Sequence, residues 1–288
     1  MRRDTMMAAL LSRLFAWGPD FEGSTRALGI IRIGLALLIW TRLADEVAFF
    51  LAENISLVLV GIYFYVFTTM MLLGIYTRIA VPMVALVLAF MFFFFGKLGL
   101  RPWEFHHVYL LVASTALLSF TPSGRSYSVD RLRALRQAER DGTLSPVEYG
   151  PLWGQRLMCL QLSALYFWTA VDKLNWAFIS GQRLEATLLF EFAGLPLEPW
   201  VTHPIFVVPA SLFVIALEFT LAFTIHVRRL QPIVLPLGIL MHIAFFLLVP
   251  VYTFSLTMIL LYLAVLDPNV VHRFLDRIQG HAPTPHHL

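Results

Sequence analysis

Six ionisable groups interrupt otherwise apolar stretches of this 288-residue chain: Arg32, Arg42, the pair His106–His107, Lys173, Glu218 and His242. A charge in hydrocarbon is costly, so residues of this kind are the first candidates for chemistry. Lys173 is one of two lysines among nineteen arginines. Arginine suffices to mark an interface, whereas a desolvated lysine can release its proton and act as a base. Imidazoles close to it can shuttle a proton or polarise an oxygen. Plainer roles stand beside these. A lysine at a helix end can snorkel to the headgroups, His106 and His107 can simply begin a helix, and His242 can bond a neighbouring helix. Arg32 and Glu218 read as a mutual charge pair, with proton transfer as the alternative, and Arg42 with Asp45 reads as an interfacial salt bridge.

Other chemistries lack their residues. No His-x-x-x-His or Glu-x-x-His pairing lies within an apolar segment, so no metal site is expected. The single cysteine, Cys159, excludes an internal disulfide and a multi-cysteine metal site. There is no Gly-x-Ser-x-Gly elbow, Walker sequence or Gly-rich dinucleotide fingerprint.

The elements that must position these groups follow from composition. Hydrophobic residues make up 59% of the chain and charged residues 14%, with a mean hydropathy of +0.75. An ordinary soluble domain carries about a quarter charged residues. The composition therefore excludes a cytosolic globular protein and a disordered chain. A net charge of +3 excludes nucleic acid as a partner. The expected class is an all-α integral membrane bundle, with lipid as its surroundings. Eight segments approach the length of a span: 27–48, 55–76, 79–95, 106–121, 154–172, 204–226, 231–249 and 251–267, with Pro250 at the bend between the last two. Lys and Arg number fifteen in one alternate set of loops and four in the other. Both termini are therefore expected on the cytoplasmic side.

Residues 1–23 read as an uncleaved interfacial segment, 24–275 as the transmembrane domain and 276–288 as a flexible tail. Ser128 to Arg140 has the spacing of an amphipathic helix on the cytoplasmic face. Residues 172–203, with Trp176, Phe178 and Trp200, suit a cap at the outer interface. Counting 1.5 Å per residue places His107, Lys173 and His242 together in the outer half of the bundle, and Arg32 and Glu218 in the inner half.

Four stretches carry a family resemblance. Leu160 to Gly181 (LQLSALYFWTAVDKLNWAFISG) resembles the Tyr-Phe…Lys-Leu…Trp…Gly segment of the vitamin K-dependent γ-carboxylase superfamily. The membrane part of that superfamily is the horizontally transferred transmembrane (HTTM) domain. Arg26 to Glu46 is similar to its Arg-bearing first span, His106 to Asp130 to its fourth span and Pro-x-Gly-Arg exit, and Ala216 to His242 to its Glu…Arg-Arg…His pattern. The resemblance implies an enzyme that couples oxygenation of a reduced quinone to proton abstraction and carboxylation of a substrate, a lyase. Vitamin K hydroquinone or menaquinol, O₂ and CO₂ would be its co-substrates. The family's catalytic Lys falls on Lys173 and its proton-relaying His on His107, with a later His on His242. Tyr166, Trp176 and His106 are the positions implied for quinone contact.

There are departures. Asp172 stands where the carboxylases have a second Lys. The chain also ends soon after its last span, where the animal enzymes continue into a lumenal domain that recognises a propeptide. It thus resembles stand-alone bacterial members, some of which serve maturation of secreted peptides. A secreted peptide or protein is the implied substrate. The competing expectation is a non-enzymatic accessory protein for maturation, export or immunity of such a peptide. Transport is less favoured, because no inverted repeat is visible.

Overall fold

A segment in lipid must satisfy its own backbone hydrogen bonds, which a helix does within one stretch of chain. The computed structural model, which describes residues 22–53, 57–95, 97, 105–249 and 251–280, is accordingly dominated by helices. They are α1 (Arg26–Glu53), α2 (Val58–Leu73), α3 (Thr77–Phe94), α4 (His106–Leu118), α5 (Val129–Asp141), α6 (Trp153–Asp172), α7 (Trp176–Ile179), α8 (Gln182–Phe192), α9 (Glu198–Val201), α10 (Pro204–Thr224), α11 (Gln231–Leu248), α12 (Tyr252–Leu261) and α13 (Pro268–Gln279). One antiparallel pair, β1 (Glu22–Ser24) and β2 (Tyr149–Pro151), joins them.

Four helices are long and apolar enough to cross a bilayer: α1 over Arg26–Phe49, α3, α10 and α11. Helices α2 and α4 are apolar but shorter; the 13 residues of α4 rise only about 20 Å. The last expected span, continued to Ala264, meets the test only together with α13, at a bend of 101°. Helix α6, expected as the fifth span, is 20 residues long but is not among those apolar enough. Gln155, Arg156 and Gln161 interrupt its apolar run. The expected N-terminal interfacial segment, apart from Glu22 and Gly23, lies outside the described residues, as do the Pro250 bend and residues 281–288.

The chain forms two compact units, one of residues 1–158 with 266–288 and one of residues 159–265. In the first, α1 packs on α2, α2 on α3 and α3 on α4. The turn between α2 and α3 is made by Gly74, at φ +70°, whose N–H bonds back to Met70 and Met71. Asp130 holds this turn from α5. Its carboxylate accepts from the N–H of Tyr76 and of Thr77 and from the Thr77 hydroxyl, each at 2.8 Å. Ser128 caps α5 by accepting from Arg131 N–H at 2.9 Å.

Residues expected in the termini are firmly placed here. Glu22 and Gly23 pair with Pro151 and Gly150 in the two-stranded sheet. Residues 276–279, expected in a flexible tail, form the end of α13. Asp276 is buried there and accepts from Arg26 at 2.6 Å, while Glu148 accepts from the same guanidinium at 2.7 Å. Ser24 bonds His272 at 2.8 Å. In the second unit, α10 packs on α11 and α11 on α12, and α8 touches α7, α9 and α10.

Candidate functional site

Helix α6 presents one polar stripe. Tyr166, Thr169 and Lys173 recur at intervals of three and four residues, the spacing of one helix face. Lys173 follows the last residue of α6, and its Nζ donates to both carboxylate oxygens of Glu218 at 2.9 Å and to the Thr169 carbonyl at 3.2 Å. An ammonium has three N–H groups, and here all three have acceptors. The pair is largely shielded, with side-chain exposures of 19% for Lys173 and 5% for Glu218. Phe178 covers the amine, 5.7 Å from its ring centroid.

Seven residues before Lys173, buried Tyr166 joins a second group. Its hydroxyl lies 2.8 Å from His242 Nε2 and 2.5 Å from the Tyr262 hydroxyl. All three residues are buried, and Phe245 and Phe254 flank the imidazole. Tyr166 and Lys173 lie on the same face of this stretch of chain, so the hydroxyl–imidazole chain and the ion pair follow one polar stripe. Four buried polar atoms of this unit that have no hydrogen-bond partner among the described residues are Ser180 Oγ, Ser211 Oγ, His242 Nδ1 and Ser255 Oγ.

Tyr262 reaches Tyr166 because residue 238 is glycine. A Cβ on Gly238 would collide with the Tyr262 hydroxyl. Gly238→Ala is therefore expected to push Tyr262 off Tyr166 and to destabilise the fold by about 1–3 kcal/mol. Thermal unfolding in detergent checks this, and adding Tyr262→Phe should recover part of the loss by removing the colliding oxygen.

His107 belongs to the other unit. Its Nε2 accepts from Arg42 Nε at 2.8 Å, which leaves the ring proton on Nδ1, and Phe105 stacks on the ring at 5.4 Å. Arg42 also binds Glu46, one turn along α1. This corrects the expected pairing with Asp45, whose carboxylate instead accepts the Glu46 N–H. Of the residues implied for quinone contact, Tyr166 is buried, whereas His106 is exposed and Trp176 is 74% exposed.

The expected Arg32–Glu218 charge pair is also corrected. Glu218 is held by Lys173. Arg32, fully buried, donates to the carbonyls of Ser123 at 2.9 Å and Tyr127 at 2.5 Å. Depth counted from helix ends assumes upright helices starting at one level, and tilt breaks that assumption. Glu218 had a usable signal nonetheless, as the lone acid of α10 in a unit whose lone lysine is Lys173. Tyr262 and Gly238 had none.

A family model described as the HTTM domain matches residues 25–269. No curated protein and no solved structure matches the chain significantly. The chain belongs to the HTTM-domain family, which is related to the γ-carboxylase superfamily, and is an integral membrane protein.

Proposed function

We propose that this HTTM-domain protein is a membrane enzyme that couples oxygenation of a reduced quinone to proton abstraction and carboxylation of a substrate at the outer membrane face. Eight crossings, with both termini cytoplasmic, would set the Lys173 end of α6 towards that face. The observation that carries this proposal is the shielded Lys173–Glu218 ion pair on the same polar stripe as the buried Tyr166–His242–Tyr262 chain. A merely interfacial lysine would extend to water, and this one is held inward on a carboxylate.

The residues present suit an aromatic diol. His242 Nδ1 is buried without a hydrogen-bond partner among the described residues, and Tyr166, Tyr262, Phe245 and Phe254 surround its ring. When bound, vitamin K hydroquinone or menaquinol would supply, with O₂, the strong base that removes the substrate proton, and CO₂ would become the new carboxyl group. The chain's own part is proton handling. Passing one proton from Lys173 Nζ to Glu218 leaves a neutral amine and a neutral acid, without changing the net charge of a shielded site. That amine can then take a proton from a hydroxyl. His242, fixed in orientation by Tyr166, can hold a second oxygen at Nδ1.

The test uses purified protein in lipid with phylloquinol or menaquinol, O₂ and ¹⁴CO₂. Wild type should form quinone epoxide. Lys173→Ala should lower its rate by about 10²–10⁴-fold, the usual contribution of a positioned acid–base group. Epoxide formation that survives in Lys173→Ala overturns the assignment of the base. Its absence from both proteins, with quinol bound, overturns the oxygenation chemistry and favours an accessory role in peptide maturation, export or immunity.

A further inference from the structure

A cavity of about 720 Å³ lies within the first unit, between the start of α3, the end of α4, α5 and the segment around Pro146. This volume falls in the range of small-molecule sites. Its walls are of two kinds. Ile79, Val81, Leu118 and Val147 give it an apolar side, while Arg78, Arg125 and Arg131 bring three positive charges. The acid in the wall, Asp130, is already occupied by the two N–H groups and the hydroxyl at the start of α3. The cavity therefore keeps an excess of positive charge.

The arginines have donors to spare. Arg125 and Arg131 each use Nη1 on a backbone carbonyl, that of Tyr149 and of Pro146 respectively. A guanidinium carries five N–H donors in a fork that matches phosphate oxygens. Arg78 is exposed at the second position of α3. Helix α3 is itself long and apolar enough to cross the bilayer. The cavity thus sits at the start of an apolar helix, with positive charge next to an apolar wall. Arg125 and Arg131 are each oriented by their bond to a backbone carbonyl.

We propose that this cavity is a specific site for an anionic glycerophospholipid, whose phosphate is held by Arg78, Arg125 and Arg131 while its glycerol and first acyl carbons lie on the apolar wall. An inorganic anion would use the arginines but leave the apolar wall uncovered. A zwitterionic lipid would fit the wall but carry no net charge to match the excess. The proposal does not depend on the quinone chemistry and stands or falls on binding alone.

The experiment measures binding to the delipidated full-length protein in detergent, by native mass spectrometry and by the rise in unfolding temperature. Three probes are compared: a short-chain phosphatidylglycerol, the matching phosphatidylcholine, and inorganic phosphate. Phosphatidylglycerol should bind and stabilise, and the other two should do so at least tenfold more weakly. Arg78→Gln, which removes no hydrogen bond of the structure, should weaken phosphatidylglycerol binding about fivefold, the worth of one basic residue at an anionic surface. Ala134→Phe, which fills the cavity without altering charge, should weaken it as much or more. Arg140→Gln, on α5 but outside the cavity, should leave it unchanged. An equal loss in Arg140→Gln would mean a diffuse surface field and overturn the proposal. Equal stabilisation by inorganic phosphate, or binding untouched by Ala134→Phe, would overturn the lipid as occupant.

Discussion

Glu218→Leu is expected to destabilise the protein by about 3 kcal/mol, the lower end of what breaking a buried ion pair costs. The value sits at the lower end because Lys173 keeps 19% of its side chain exposed. The cost arises from what remains. An ammonium that had three acceptors would retain only the Thr169 carbonyl. The double variant Lys173→Met, Glu218→Leu removes both charges at similar volume, and such replacements are often neutral or stabilising. Thermal unfolding of the four proteins in one detergent should therefore show the double variant close to wild type. The same cycle separates structure from chemistry. If the pair only fastens α6 to α10, the double variant recovers stability and quinol-dependent turnover together. If Lys173 is the base, stability returns and turnover stays at the level of Lys173→Ala. Recovery of turnover in the double variant would sink the catalytic assignment.

What could be read from the sequence depended on whether a signal was local. Apolar residues at helical spacing between arginines specified a helix over Ser128 to Arg140, and α5 runs Val129–Asp141. Long apolar runs marked α1, α3, α10 and α11 for the same reason. The pairing partners of the buried charges were harder, since they depend on how tilted helices meet. Arg42 binds Glu46, four residues along, while Asp45, three along, turns its carboxylate to the Glu46 N–H; both spacings share a helix face, so spacing alone did not choose between them. Tyr262 gave no signal at all, because tyrosines near the ends of apolar helices are common as interfacial anchors. Strands β1 and β2 have three residues each, too few for any periodicity to show. Their pairing, and the burial of Asp276 against Arg26, come from long-range contacts that no window of sequence contains.

Arg32 carries the second large effect, and it is structural. Its guanidinium spans two carbonyls of the segment joining α4 to α5, those of Ser123 and Tyr127. Arg32→Met would keep the apolar stem but leave both acceptors without their donor. Each unsatisfied buried group costs about 1–3 kcal/mol, offset in part by no longer burying a charge. A net loss of about 2–4 kcal/mol is expected. The damage should spread in a defined direction. The same segment leads into Ser128 and Asp130, which cap α5 and hold the start of α3. Gly74 is packed against it so closely that an added Cβ would lie 2.8 Å from Arg32 Nη1. Hydrogen exchange should therefore rise first at the amides of Tyr76, Thr77 and Arg131 in Arg32→Met, with residues 159–265 protected as before. Arg32→Lys should recover only part of the loss, because an ammonium lacks the fork that reaches two carbonyls at once. Uniform exchange across both units would show that Arg32 supports the whole bundle and not the α4–α5 segment that it touches.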